Sequence, residues 1–96
     1  MQKSIHSNEY NAVLKKLVEM RLKAGWTQRQ LAEKLNREHS FVWRIENGER
    51  RLDVVEFYWV CRTLGQVPEA VYAELASAFR SCYSEPEVSK NNTFDK

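Results

Sequence analysis

Gly25-Trp26-Thr27-Gln28-Arg29-Gln30-Leu31-Ala32-Glu33-Lys34-Leu35-Asn36 stops one helix, starts a second and stops that one too, all within 12 residues. Glycine takes the left-handed backbone at little cost, so a helix running in from Asn8 ends at Ala24. Thr27 and Gln30 have the spacing of a capping box, in which the threonine hydroxyl accepts from the Gln30 amide and the Gln30 side chain accepts from the Thr27 amide. Leu31, Ala32 and Leu35 then fall on one face, which predicts a short helix from Gln28 to Leu35 with a single apolar stripe. Asn36 follows, the residue type that tolerates a left-handed stop best after glycine.

Beyond Arg37 and Glu38 the spacing predicts a third helix that carries Val42 and Ile45 inward and closes at Gly48. His39, Ser40, Trp43, Arg44 and Asn47 then lie outward. Asp53-Val54-Val55-Glu56 repeats the capping-box pattern and opens a fourth helix, with Val54, Phe57, Val60, Cys61 and Leu64 on its inner face and Gly65 as its stop. Pro68 suits the first turn of a fifth helix, where a missing amide hydrogen costs nothing, and Glu69 favours the positive helix end. That helix reaches Cys82. The fold class is therefore all-α, a compact five-helix bundle in residues 1–83. From Ser84 to Lys96 the composition shifts to Ser, Glu, Pro, Lys and Asn and reads as a disordered tail.

The chain has 96 residues, 43% of them hydrophobic, enough for one domain with a modest core. Its net charge of +2 hides a polarity. Met1 to Arg51 holds 11 Lys and Arg against 6 acids, a net of +5; Leu52 to Lys96 holds 4 against 7, a net of −3. The positive half is the half that holds the two short helices, and a basic surface of that kind is what binding to a polyphosphate requires. No segment is long and apolar enough to span a bilayer and the first residues lack an apolar run, so the sequence reads as cytoplasmic, with no membrane partner. Cys61 and Cys82, on helix faces that read as partly buried, suit small apolar roles rather than a disulfide. With His6 and His39 they are too scattered for a metal site, and no cofactor is implied. No glycine-rich phosphate loop and no nucleophile with an evident base appears, so an enzyme is not expected. Ser40 and His39 point about 100 degrees apart on a helix, poor geometry for a catalytic pair.

Arg21, Gly25, Thr27-Gln28, Leu31-Ala32 and Leu35, followed by Ser40, Val42 and Ile45-Glu46-Asn47-Gly48, resemble the phage-repressor or Cro-like helix-turn-helix family, also called the xenobiotic-response-element type. The resemblance covers roughly Leu14 to Val67, and the continuation Glu49-Arg50-Arg51-Leu52-Asp53-Val54-Val55-Glu56-Phe57 is similar to one bacterial branch. It implies double-stranded DNA as the partner, with the third helix in the major groove. His39 and Ser40, near the start of that helix, and Arg44 one turn further on would then meet base edges. Gln28 matches a position that holds a phosphate in this family, beside Thr27 at the same helix start. Arg29, Asn47, Arg50 and Arg51 would flank the groove and fix register on the backbone, with Arg50 or Arg51 also able to enter a narrow minor groove. Arg21 and Glu46 match a partly buried ion pair that locks the reading helix to its scaffold.

Two residues depart from the family pattern. Glu38 would face phosphates, where a carboxylate is repelled unless it accepts from cytosine N4. Trp43 stands where a small polar residue is usual; it either reads DNA, at a thymine methyl or the sugar-phosphate wall, or folds back over the second helix.

Most proteins of this kind bind as two-fold dimers on half-sites about 34 Å apart. The fifth helix offers the surface: Val71, Tyr72, Leu75 and Phe79, with Ala76, Ala78, Cys82 and Tyr83 widening the stripe, and Tyr58 and Trp59 on the outer side of the fourth helix joining it. The alternative is that the stripe only closes the monomer core. Three readings of function follow. One is a transcriptional regulator, a repressor on a pseudo-palindromic operator. Another is an antitoxin or control protein that binds both DNA and a protein partner. The last is a protein-protein adaptor that keeps the scaffold without reading DNA.

Overall fold

The helix stops marked by the spacing are all closed by the same pair of hydrogen bonds. Gly25, Asn36, Gly48 and Gly65 take positive φ, at 81°, 61°, 76° and 78°. Each donates its amide three residues back, and the next residue donates five back: Gly25 to Leu22 with Trp26 to Arg21, Asn36 to Glu33 with Arg37 to Ala32, Gly48 to Ile45 with Glu49 to Arg44, and Gly65 to Arg62 with Gln66 to Cys61. Carbonyls that a helix end leaves without partners are satisfied in this way. The computed structural model describes residues 7–82. It contains α1 (Asn8–Ala24), α2 (Gln28–Lys34), α3 (Phe41–Glu46), α4 (Val54–Thr63) and α5 (Pro68–Cys82), with no strand among the described residues. The expected tail, 84–96, lies outside them, as do His6 and Tyr83.

Both capping boxes form. Thr27 Oγ1 accepts from the Gln30 amide at 3.0 Å and the Gln30 side chain accepts from the Thr27 amide at 2.9 Å. Asp53 and Glu56 do the same for α4, at 2.8 and 3.0 Å. Helix α1 packs on α3 and α5, α2 on α3, and α4 on α5. The core runs through Leu17, Met20, Leu31, Ala32, Phe41, Val42, Ile45, Val60, Cys61, Leu64, Val71 and Leu75. Tyr10 is buried at its edge, and its hydroxyl accepts from the Leu52 amide at 3.0 Å, tying α1 to the segment between α3 and α4.

Several expectations are corrected. Val71 and Leu75, read as dimer surface, are 2% and 4% exposed and sit in the molecule's own core. They share one face of α5, and the 3.6-residue period makes that face the one that meets α1 and α4. Phe79 is half-buried against the same core, whereas Tyr72 and Trp59 stay exposed. Val54, expected inside, is 77% exposed, because the first residue of α4 precedes the turn that meets the core. Cys61 is fully buried and Cys82 exposed, so only the first fills an interior position. Helix α2 ends one residue earlier than expected, with Leu35 as its cap. Helix α3 begins only at Phe41, so His39 and Ser40 belong to the turn that leads into it.

Candidate nucleic-acid interface

The six residues of α3 are sorted by the helical period into an inner and an outer set. Phe41, Val42 and Ile45 are buried, while Trp43, Arg44, Asn47 and the preceding His39 and Ser40 are exposed. The Arg44 guanidinium has no hydrogen-bond or ion-pair partner among the described residues. Trp43 is 45% exposed. Asn47 turns back on its own helix, its Nδ2 donating to the Trp43 carbonyl at 2.9 Å. His39 Nε2 lies 3.2 Å from Glu33 Oε2 at the surface.

Two carboxylate-centred clusters hold this helix and the segments that adjoin it. On the α1 and α2 side, Arg21 donates from Nε to Glu46 Oε2 at 2.7 Å and from Nη2 to Glu46 Oε1 at 2.9 Å. Arg21 Nη1 also donates to the Trp26 carbonyl at 3.0 Å, and Gln28 Nε2 donates to Glu46 Oε1 at 2.7 Å. The expected ion pair is present and buried, with side-chain exposures of 10% and 7%. A planar guanidinium matched to a carboxylate through two parallel bonds carries orientation as well as charge. The Gln28 side chain, read as a phosphate holder, is turned inward onto this carboxylate.

On the α4 side the centre is Glu56. Its Oε1 accepts from Arg50 Nη1 at 2.9 Å and from the Asp53 amide, while its Oε2 accepts from Arg50 Nη2 at 2.8 Å and from Arg37 Nη1 at 3.1 Å. Four donors fill the acceptor sites of one carboxylate. The Arg50 bonds foremost, opposed in part by burial and joined by the Asp53 amide and Arg37, hold the Glu56 carboxyl down at about 2. In return, the bond to Glu56 raises the pKa of Arg50 above its ordinary value. Both guanidiniums lie over the Phe41 ring, Arg37 at 4.0 Å and Arg50 at 5.0 Å from its centroid. Arg51 lies 4.9 Å from the centroid of Tyr10.

This second cluster is not evident from the sequence. Glu56 reads there as the reciprocal member of a helix cap, which it is, and Arg37 carries no motif of its own. Phe41 also goes unassigned, although its spacing to Val42 and Ile45 places it on their face. Of the expected phosphate contacts, Arg29 is exposed and Thr27 spends its hydroxyl acceptor on the α2 cap, while Arg50 is turned onto Glu56.

A helix-turn-helix domain family model matches residues 15–81. Among solved structures, an XRE-family-like protein from Pseudomonas syringae pv. tomato is 47% identical, with a TM-score of 0.72 over 77% of this chain and 90% of that one. The chain belongs to the XRE-like helix-turn-helix family. Its fold is that of a DNA-binding helix-turn-helix domain. The clp gene regulator ClgR from Corynebacterium glutamicum, at 24% identity, shares the fold with a TM-score of 0.66 over 78% of this chain and 80% of its own. No curated protein matches the chain significantly. No helix among the described residues is long and apolar enough to cross a membrane, and no group of potential metal ligands occurs among them.

Proposed function

We propose that this protein is a transcriptional regulator, a repressor that reads a pseudo-palindromic operator in duplex DNA as a two-fold dimer. The observation that carries the reading is the exposed rim of Ser40, Trp43 and Arg44, presented on a helix whose opposite side is buried and whose flank is fixed by Arg21 and Glu46. Arg44 is the principal base reader, since a guanidinium free of internal partners can fork onto guanine O6 and N7. His39 and Ser40 contact neighbouring bases, and Trp43 packs on a thymine methyl or the sugar-phosphate wall. Thr27, Gln28, Arg29, Asn47, Arg50 and Arg51 hold the backbone. The working compartment is the cytoplasm, and the chain performs no catalysis.

The dimer surface on this reading centres on Trp59 and Tyr72, which with Tyr58 and Cys82 are the members of the expected set that remain exposed. Val54, Val55 and Tyr58 stand beside Trp59 on the outer side of α4, also exposed. The same aromatic face favours a second reading, an antitoxin or control protein that binds a protein partner as well as DNA. Selection of bound sites from random duplexes separates these. Paired half-sites support the dimeric operator, and Arg44→Ala relaxes preference at one base position, by about 1 to 3 kcal/mol of discrimination. Recovery of no enriched sequence overturns the reading.

A further inference from the structure

We propose that Arg37 and Arg50, held on the Phe41 ring by Glu56, form a phosphate clamp beside the reading helix, with Glu56 as its positioning residue. The inference rests on duplex DNA being the ligand, and it assigns a DNA contact to Arg37, which no motif marks.

Three features of the cluster support it. The first is charge: two guanidiniums share one carboxylate, which leaves the trio itself net positive, with Asp53 and Glu38 as the further acids whose charge reaches Arg50. The second is donor count. A guanidinium has five N–H groups. Arg37 spends one of its donors on Glu56, and Arg50 spends its bonds on Glu56 and on the Arg51 carbonyl, 2.9 Å away. The remaining N–H groups of both have no acceptor among the described residues, while 34% and 33% of the two side chains stays in solvent. The third is placement. Arg37 stands in the segment that leads into α3 and Arg50 in the one that leaves it, so the two guanidiniums brought together over the Phe41 ring belong to the stretches that border the reading helix. Phosphate contacts of this kind fix register without reading sequence, and a clamp already stacked and bonded needs little ordering when DNA arrives.

Glu56 makes the sign of the effect diagnostic. Deleting a negative charge from a DNA-binding surface strengthens generic DNA binding if charge alone acts. If the carboxylate positions the clamp, deleting its charge weakens binding instead. The experiment measures the affinity of the full chain for its selected operator and for an unrelated duplex of equal length, across a salt series. Arg37→Gln should weaken both duplexes alike and lower the slope of log affinity on log salt by about 0.9, so that the affinity lost between 50 and 200 mM salt shrinks by roughly threefold. Glu56→Gln, which keeps an oxygen for the α4 cap, should weaken both duplexes despite its added positive charge. Arg37→Lys should weaken binding too, since charge without the planar fork does not rebuild the clamp.

Unchanged affinity and slope in Arg37→Gln overturn the clamp. Tighter binding by Glu56→Gln overturns the positioning role. Arg37 lies in a turn with a single side-chain bond, so its variants decide the clamp even if Glu56→Gln melts. Arg44→Ala run alongside separates the two readings: lost base preference in Arg44→Ala with unaltered Arg37→Gln sinks the clamp alone, and a parent that binds no duplex sinks both.

Discussion

Glu46 and Glu56 are two carboxylates that hold one short helix and the segments adjoining it, and they are used differently. Glu46 is sealed: its partner Arg21 is buried, and its third bond comes from Gln28 on the neighbouring helix. Glu56 is equally well bonded, but its two arginines remain one-third exposed with donors to spare. The inner cluster fixes α3 to α1 and α2, whereas the outer one ties the turn before α3 and the segment after it to the start of α4. The contrast is one of consequence. Breaking a sealed pair strands a charge away from water, while breaking a rim pair returns the arginine to solvent and leaves Glu56 its remaining donors.

The largest effect is therefore expected at Arg21. Arg21→Ala leaves Glu46 buried with only Gln28 as a donor, and should cost about 3 to 5 kcal/mol in a urea or thermal melt. A variant that melts like the parent would show that the pair does not hold the helix. Glu56→Ala should cost less, about 1 to 2 kcal/mol, from the lost cap bond and partly exposed ion pairs. Reversal of that order would mean that the α4 flank, not the α1 flank, is the anchor.

The two clusters also differ in how far the sequence reveals them. Arg21 and Glu46 lie 25 residues apart, and no periodicity links them; they become visible through the resemblance that also supplies the order of the helices. Glu56 and Asp53 are three apart, so local spacing reads them as a cap. The same carboxylate's bonds to Arg37, 19 residues back, depend on how the turn and α4 are brought together, and residue spacing does not contain that. Helix existence and stops were legible because glycine, asparagine and capping pairs act locally. Which apolar residues are covered was less so. Val54 reads as inner face and Val71 as dimer surface, yet the reverse holds: Val71 sits where α5 meets α1 and α4, and Val54 precedes the turn of α4 that meets the core.

The pH dependence gives a finer test of the outer cluster. Its partners hold Glu56 at about 2, below its ordinary 4.5. The sign follows: a depressed carboxyl contributes stability that is present above the ordinary value and is lost as pH falls toward the lowered one. The stability difference between the parent and Glu56→Gln, measured by urea melts from pH 7 downward, should stay constant to about 4.5 and vanish near 2. A difference that persists unchanged at pH 2 would assign the effect of the variant to packing rather than to the charged bonds.

The smallest effect should fall on Gln28, and it sharpens the contrast between sealed and open clusters. Its amide donates to Glu46 Oε1 at 2.7 Å, yet that same oxygen already accepts from Arg21 Nη2, so removing the amide leaves no acceptor stranded. Gln28→Ala should then cost about 0.5 to 1.5 kcal/mol, the net worth of a single hydrogen bond. The unused hydrogen of the amide is what remains for a phosphate. If Gln28 serves both partners, the variant loses affinity for selected and unrelated duplexes alike with its salt slope unaltered, since a neutral amide releases no counterion. If the side chain serves only Glu46, a melt registers the substitution and a binding titration does not, which would leave the outer cluster with the larger share of the backbone grip.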